Sequence, residues 1–135
     1  MIMKIEKLTE PNGLISGIRY HDQILHQFVT CAEKCSLKVM TDNREFFLLD
    51  FSGVFSSSLR KFLPRTIILS MFLWDVTAIQ EWFIGHPQFL ECSEDGPILS
   101  KYIFFMDSSY GASLCVAFDF LKVIHSKNNE VIYDL

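Results

Sequence analysis

Apolar and polar residues alternate along two stretches of the chain. Leu37 and Val39 alternate with Ser36 and Lys38, and Leu114, Val116, Phe118 and Phe120 alternate with Cys115, Ala117, Asp119 and Leu121. This period of two sends successive side chains to opposite faces of a strand. Three further runs, FFLLDF at 46–51, IILSMFLW at 67–74 and YIFFM at 102–106, are apolar at both parities, as strands covered on both sides are. Turn-forming clusters separate these segments: PNG at 11–13, TDNRE at 41–45, GHP at 85–87, EDGP at 94–97, SSYG at 108–111 and KNNE at 127–130. The pattern predicts a hairpin of Lys101–Met106 with Ala112–Ile124, its loop using Gly111 at positive φ, and a second hairpin through TDNRE.

One segment has helical signals. Thr77 and Gln80 have the spacing of a capping box, and Gly85 followed by Pro87 reads as a stop. A helix is therefore expected from about Ala78 to Ile84. Ile79, Trp82 and Phe83, at i, i+3 and i+4, should bury against the sheet. Runs of strands with one short helix near 78–84 predict a strand-rich α+β fold, a single domain over residues 1–135 of mostly antiparallel strands arranged as a curved sheet, a barrel or a sandwich.

Composition narrows the class. Half of the residues are apolar and thirteen are phenylalanine, so a packed core is expected and disorder is excluded. The longest apolar run falls short of the roughly 18 residues that cross a bilayer. Glu6 and Glu10 stand where a signal peptide would be apolar, so the expected location is the cytoplasm, with Cys31, Cys35, Cys92 and Cys115 as free thiols. The net charge of -4 is uneven: residues 1–65 hold nine Lys/Arg and seven Asp/Glu, residues 66–135 three and nine. An acidic C-terminal half disfavours direct nucleic-acid binding and favours basic partners. The high apolar content also leaves room for a homo-oligomer.

The candidates for chemistry do not assemble from the sequence. His21 and Asp22 are adjacent, so on a strand they point apart, and they are better read as a bend between Tyr20 and Gln23. His26, five residues on, shares no strand face with His21. Cys31 and Cys35 lack the second pair that a zinc site needs, and their spacing departs from the C-x-x-C redox motif. Ser108, Ser109 and Tyr110 lack the G-x-S-x-G frame, and no glycine-rich phosphate loop is present. No catalytic residue, metal ligand or cofactor is assigned. An enzyme using His21 or His125 with a nearby carboxylate requires those groups to converge in one cleft.

The order Tyr20-His21-Asp22, a strand, a polar hairpin, FFLLDFSGV at 46–54 and then IILSMFLW resembles an arrangement found among small bacterial immunity-type proteins that neutralise delivered toxins, including those of contact-dependent growth inhibition. The resemblance spans roughly residues 14–76, with SSYGASLCV at 108–116 as a second element. It implies a cytoplasmic, non-enzymatic toxin inhibitor that binds one cognate toxin domain, in many cases a basic nuclease, and blocks its active site. Glu91, Glu94, Asp95 and Asp107 would then stand in exposed loops and meet Lys or Arg of the toxin. The alternative, from the phenylalanine content, is a small-molecule-binding barrel or sandwich with an apolar cavity.

Overall fold

The computed structural model describes residues 2–40, 45–61, 65–127 and 129–135. Among them are nine strands and two short helices: β1 (Ile24–Cys31), β2 (Lys34–Met40), β3 (Phe46–Ser52), β4 (Ser56–Arg60), β5 (Thr66–Asp75), α1 (Glu81–Ile84), α2 (Pro87–Cys92), β6 (Tyr102–Tyr110), β7 (Ser113–Phe118), β8 (Phe120–His125) and β9 (Glu130–Asp134). All nine strands belong to one open antiparallel sheet in the order β4-β7-β6-β5-β1-β2-β3-β8-β9. Of the three expected shapes, the molecule takes the curved sheet, folded over on itself.

The fold-over occurs where pairing is thinnest. β1 and β5 pair only through Ile24 with Ile67 and Leu25 with Thr66. Beyond that point the two halves of the sheet face one another, and Phe51 of β3 packs against Phe104 of β6 and Phe118 of β7 at ring distances of 5.1 and 4.8 Å. Residues 2–20 complete the enclosure. Met3 bridges to Tyr133 in β9, Leu14 bridges to Phe72 in β5, and the Tyr133 hydroxyl donates to the carbonyls of Lys7 and Gly17. Leu8, Ile15, Ile18 and Tyr20 from this segment lie in the main core.

Of the three runs that are apolar at both parities, those of β5 and β6 separate two cores, whereas FFLLDF in β3, expected to be covered on both sides, buries one face only through Leu49 and Phe51. Met71, Leu73, Phe104, Met106, Leu114, Val116 and Phe118 point into the main core, whereas Trp74, Ile103, Phe105, Cys115 and Ala117 point the other way, towards Phe83 and Cys92 of the helices. The half built from β4, β7, β6 and β5 is thus covered on both faces. The half built from β1, β2, β3, β8 and β9 buries one face only, which is why β2 alternates strictly between buried Cys35, Leu37 and Val39 and more exposed neighbours.

Three local expectations change. The stretch 112–124 is two strands, because the chain crosses from one half to the other at Asp119. The Asp119 N–H bonds the carbonyls of Ser52 and Gly53, and its carboxylate accepts the Lys101 N–H at 3.0 Å. The parity slips by one residue at the crossing: Leu114, Val116 and Phe118 face the main core before it and Leu121 and Val123 after it, so Phe120, expected to continue the face of Phe118, is 51 % exposed. The helix starts at Glu81 instead of Ala78, since the Asp75 carboxylate takes both the N–H and the hydroxyl of Thr77 at 2.9 and 2.7 Å and leaves the capping box unformed. GHP starts a second helix, with Pro87 in the first turn, where a missing N–H costs nothing, and with the His86 ring accepting the Gln88 N–H at 3.0 Å. The β6–β7 hairpin turns through Gly111 at φ +98, as expected. β2 and β3 pair from Met40 with Phe46 to Lys34 with Ser52, while residues 41–44 of the expected TDNRE turn lie outside the described residues.

Candidate functional site

The sequence candidates are dispersed. Tyr20-His21-Asp22 is a turn: the Gln23 N–H bonds the Tyr20 carbonyl at 2.8 Å, and Asp22 adopts φ +62. The ring of His21 donates from Nδ1 to the Leu69 carbonyl at 2.8 Å and lies 3.5 Å from the Asp22 carboxylate, with both side chains mostly exposed. Tyr20 is the structural member, donating to the Ile15 carbonyl at 2.6 Å and accepting the Met71 N–H at 3.1 Å; burial raises its pKa. His26 packs on Phe46, and His125 pairs with Glu45 at 3.0 Å on the other side of β3 from β2. Cys31 is exposed at the end of β1, whereas Cys35 is buried, with its thiol pushed up to about 12 by desolvation and then by Asp50. No group of three or more His, Cys, Asp or Glu able to hold a metal occurs among the described residues.

The four carboxylates assigned to exposed loops separate into three environments. Only Glu94 and Asp95 stand exposed in a loop, immediately after α2. Asp107 lies within β6, partly covered, accepting the Ser108 N–H at 3.0 Å, and by alternation it shares the helix side with Phe105. Glu91 lies on α2 and is engaged within the molecule. It accepts from Arg60 Nε at 2.6 Å, from a second Arg60 nitrogen and from the Ser58 hydroxyl. These donors, Arg60 foremost, hold its carboxyl below the usual range.

Glu91 belongs to a polar clamp that seats α2 on β4 and β7. Fully buried Gln88 donates to the Ser58 carbonyl at 2.6 Å and to its hydroxyl at 2.9 Å, and its carbonyl accepts the Ser113 hydroxyl at 3.1 Å. Beneath the helices, Phe83 is completely buried, with its ring 4.6 Å from Phe105, 5.0 Å from Trp74 and 5.6 Å from Phe89. A helix of four residues is too short to be stable alone; this aromatic packing is what holds α1 in place.

The outward side of the helix pair is unusual in two respects. Trp82, expected to be buried, is 49 % exposed, its ring edge-on to Phe72 and Trp74 at 5.1 and 5.7 Å, and Ile84 and Leu90 are exposed to 47 and 57 %. Grooves run along both sides of α2. One, of about 750 Å³, includes Leu59, Arg60, Pro87, Leu90 and Glu94 in its wall; the other, of about 430 Å³, includes Ile79, Ile84, Phe89 and Ile98. The sequence from 66 to 100 contains Asp75, Glu81, Glu91, Glu94 and Asp95 but no Lys or Arg. With Glu91 taken up by Arg60, the exposed carboxylates of this face are Glu81, Glu94 and Asp95. Large apolar side chains inside an acidic margin can anchor a protein surface and steer a basic one.

No family model, curated protein or solved structure matches the chain.

Proposed function

We propose that the chain is an immunity-type protein that neutralises a cognate toxin domain by direct binding, using the face formed by α1, α2 and the loop that follows. The observation that carries this reading is the coincidence on that face of exposed Trp82, Ile84 and Leu90 with Glu81, Glu94 and Asp95, in a stretch of sequence free of basic residues. An interface of this kind has apolar anchors that exclude water and a charged rim that guides encounter. Glu91 keeps α2 in position, and Glu94 and Asp95 meet Lys or Arg of the toxin. Asp107, farther along the same side of the sheet, extends the negative potential.

A nuclease is a fitting target, since a site that attracts phosphate backbones also attracts a carboxylate-bearing inhibitor. The test is to co-express the chain with the toxin domain encoded beside its gene. The reading predicts restored growth and a stoichiometric complex that weakens as salt rises. Continued toxicity with both proteins soluble and no complex at low salt overturns it.

A further inference from the structure

The seam between the two halves of the sheet is stitched partly by side chains, and the stitching leaves a pocket. On the side of β5 that faces β1, the Asp22 N–H bonds the Ile68 carbonyl and the Ile68 N–H bonds the Gln23 carbonyl, both at 2.9 Å. From Met71 onward the same edge of β5 is taken by the N-terminal segment, with the Ile15 N–H on the Met71 carbonyl at 2.8 Å and the Leu73 N–H on the Gly13 carbonyl at 2.9 Å. Leu69 and Ser70 lie between these two pairings, where the β5–β6 register is irregular. An irregularity of this kind bends the strand and re-aims the side chains beside it. Residues 16–21 leave β5 between their two attachments, and the N–H groups of Ser16 and Gly17 both turn to the Leu8 carbonyl at 2.9 Å. Tyr20 fills the inner side of the gap, its hydroxyl donating to the Ile15 carbonyl and accepting the Met71 N–H, and His21 closes one end through the Leu69 carbonyl.

The space that remains is a pocket of about 700 Å³, within the roughly 300–1,000 Å³ of small-molecule sites. Its wall is mainly apolar, with Leu14, Ile18 and Leu69 beside the hydroxyls of Ser16 and Ser70, and it includes Arg19. Leu69 is 42 % exposed although large and apolar. The two basic side chains here differ. His21 is held by the Leu69 carbonyl and lies 3.5 Å from the Asp22 carboxylate, whereas Arg19 makes no hydrogen bond or ion pair with any other described residue. A guanidinium without a partner beside an apolar pocket suits a carboxylate, which it meets with two parallel N–H donors.

We infer that this pocket binds a small amphipathic carboxylate, its apolar body against Leu14, Ile18 and Leu69 and its charged end on Arg19. The apolar wall supplies contact area, and Arg19 selects the head group: a neutral head of the same size gains little from the guanidinium and a cationic one is repelled. No residue of α1 or α2 lines the pocket, so the inference is independent of what the helix face binds.

The test uses octanoate as the probe, with octanamide and octylamine as its neutral and cationic counterparts of equal length, each kept below the concentration at which it forms micelles. Two-dimensional amide NMR of the isotopically labelled protein follows each titration. Octanoate is expected to give saturable shifts centred on residues 14–21 and 68–71, with octanamide binding at least about 10-fold more weakly and octylamine more weakly still. Arg19→Gln, at an exposed position, should keep the wild-type spectrum elsewhere and lose at least about 10-fold in octanoate affinity. Lys34→Gln, which removes an exposed cation at the start of β2, should bind octanoate as the wild type does. The inference is overturned if octanoate produces no saturable shift at residues 14–21 and 68–71, or if its shifts centre on exposed Trp82, Ile84 and Leu90 instead. It is equally overturned if octanamide binds as tightly as octanoate or if Arg19→Gln keeps wild-type affinity, since the pocket would then be a crevice without selectivity for the anion.

Discussion

The two halves of the sheet solve the same packing problem with opposite outer surfaces. In the covered half, alternate residues of β5, β6 and β7 enter different cores, so almost no position along them is free to carry charge. On the helices and the loop laid over it the charges are acidic, with Arg60 of β4 taken up by Glu91. In the other half the outer face meets water, and charges of both signs sit in register across it. Asp50 pairs with Lys122 and Lys122 with Asp134 across β3, β8 and β9, and Lys38 lies 4.8 Å over the ring of Phe46. Opposite charges in register on neighbouring strands attract one another. The helix face instead sets exposed apolar anchors beside Glu81, Glu94 and Asp95, and that contrast is the physical basis for placing recognition on the helices.

The difference in covering is most severely tested by Phe83→Ala. Removing a ring packed among Trp74, Phe89 and Phe105 should cost about 3–5 kcal/mol in chemical denaturation. Leu48→Ala, on the outer face of the open half, should cost about 1 kcal/mol or less; equal losses would mean that the helices add little to the covered half. Next in size is Gly111→Ala. Its Cβ would stand 2.4 Å from Thr66 Oγ1 on a backbone at φ +98, and that hydroxyl also accepts the Ala112 N–H at 3.1 Å, so a loss of about 2 kcal/mol or more is expected. Lys122→Glu puts like charges opposite both Asp50 and Asp134 and should cost about 1 kcal/mol, a penalty that shrinks in high salt.

The smallest effect is on pH dependence. Arg60 and Ser58 depress the carboxyl of exposed Glu91 below its ordinary 4.5, so the stabilisation is complete above that value and is lost as pH falls through the lower folded value. Glu91→Gln should flatten this part of the acid limb of a stability profile while leaving stability above pH 7 nearly as insensitive to pH as before. An unchanged acid limb would remove Glu91 from the clamp.

Much of the fold is legible in the residues and much of the site is not. β5 and β6 declare themselves because a run apolar at both parities has few other soluble explanations, whereas β3 has the same pattern and is covered on one face only, so the run shows a strand there but not its covering. The hairpin at Gly111 is legible because serine and glycine at a turn have a mechanical reason to be there. Which half a strand joins is not legible: the crossing at Asp119 shows in the sequence only as a one-residue slip at Phe120 and Leu121, and it depends on hydrogen bonds to Ser52 and Gly53, more than sixty residues earlier in the chain. The exposure of Trp82 is hidden for a related reason. The i, i+3, i+4 rule presumes a helix from Ala78, but Asp75 holds Thr77 outside it, and a single turn from Glu81 directs Phe83 inward and Trp82 outward. Glu91 looks like Glu94 in sequence; Arg60 and Ser58, both more than thirty residues away, distinguish them.

The most direct test of the recognition face is calorimetric titration of the toxin domain encoded beside the gene with wild-type protein, Trp82→Ala and Leu48→Ala at low and physiological salt. Truncating a central aromatic anchor should weaken binding by at least about 30-fold, while Leu48→Ala binds as the wild type does, and the affinity of all three falls as salt rises. Wild-type affinity in Trp82→Ala together with a large loss in Leu48→Ala would contradict the account and move recognition to the open half of the sheet.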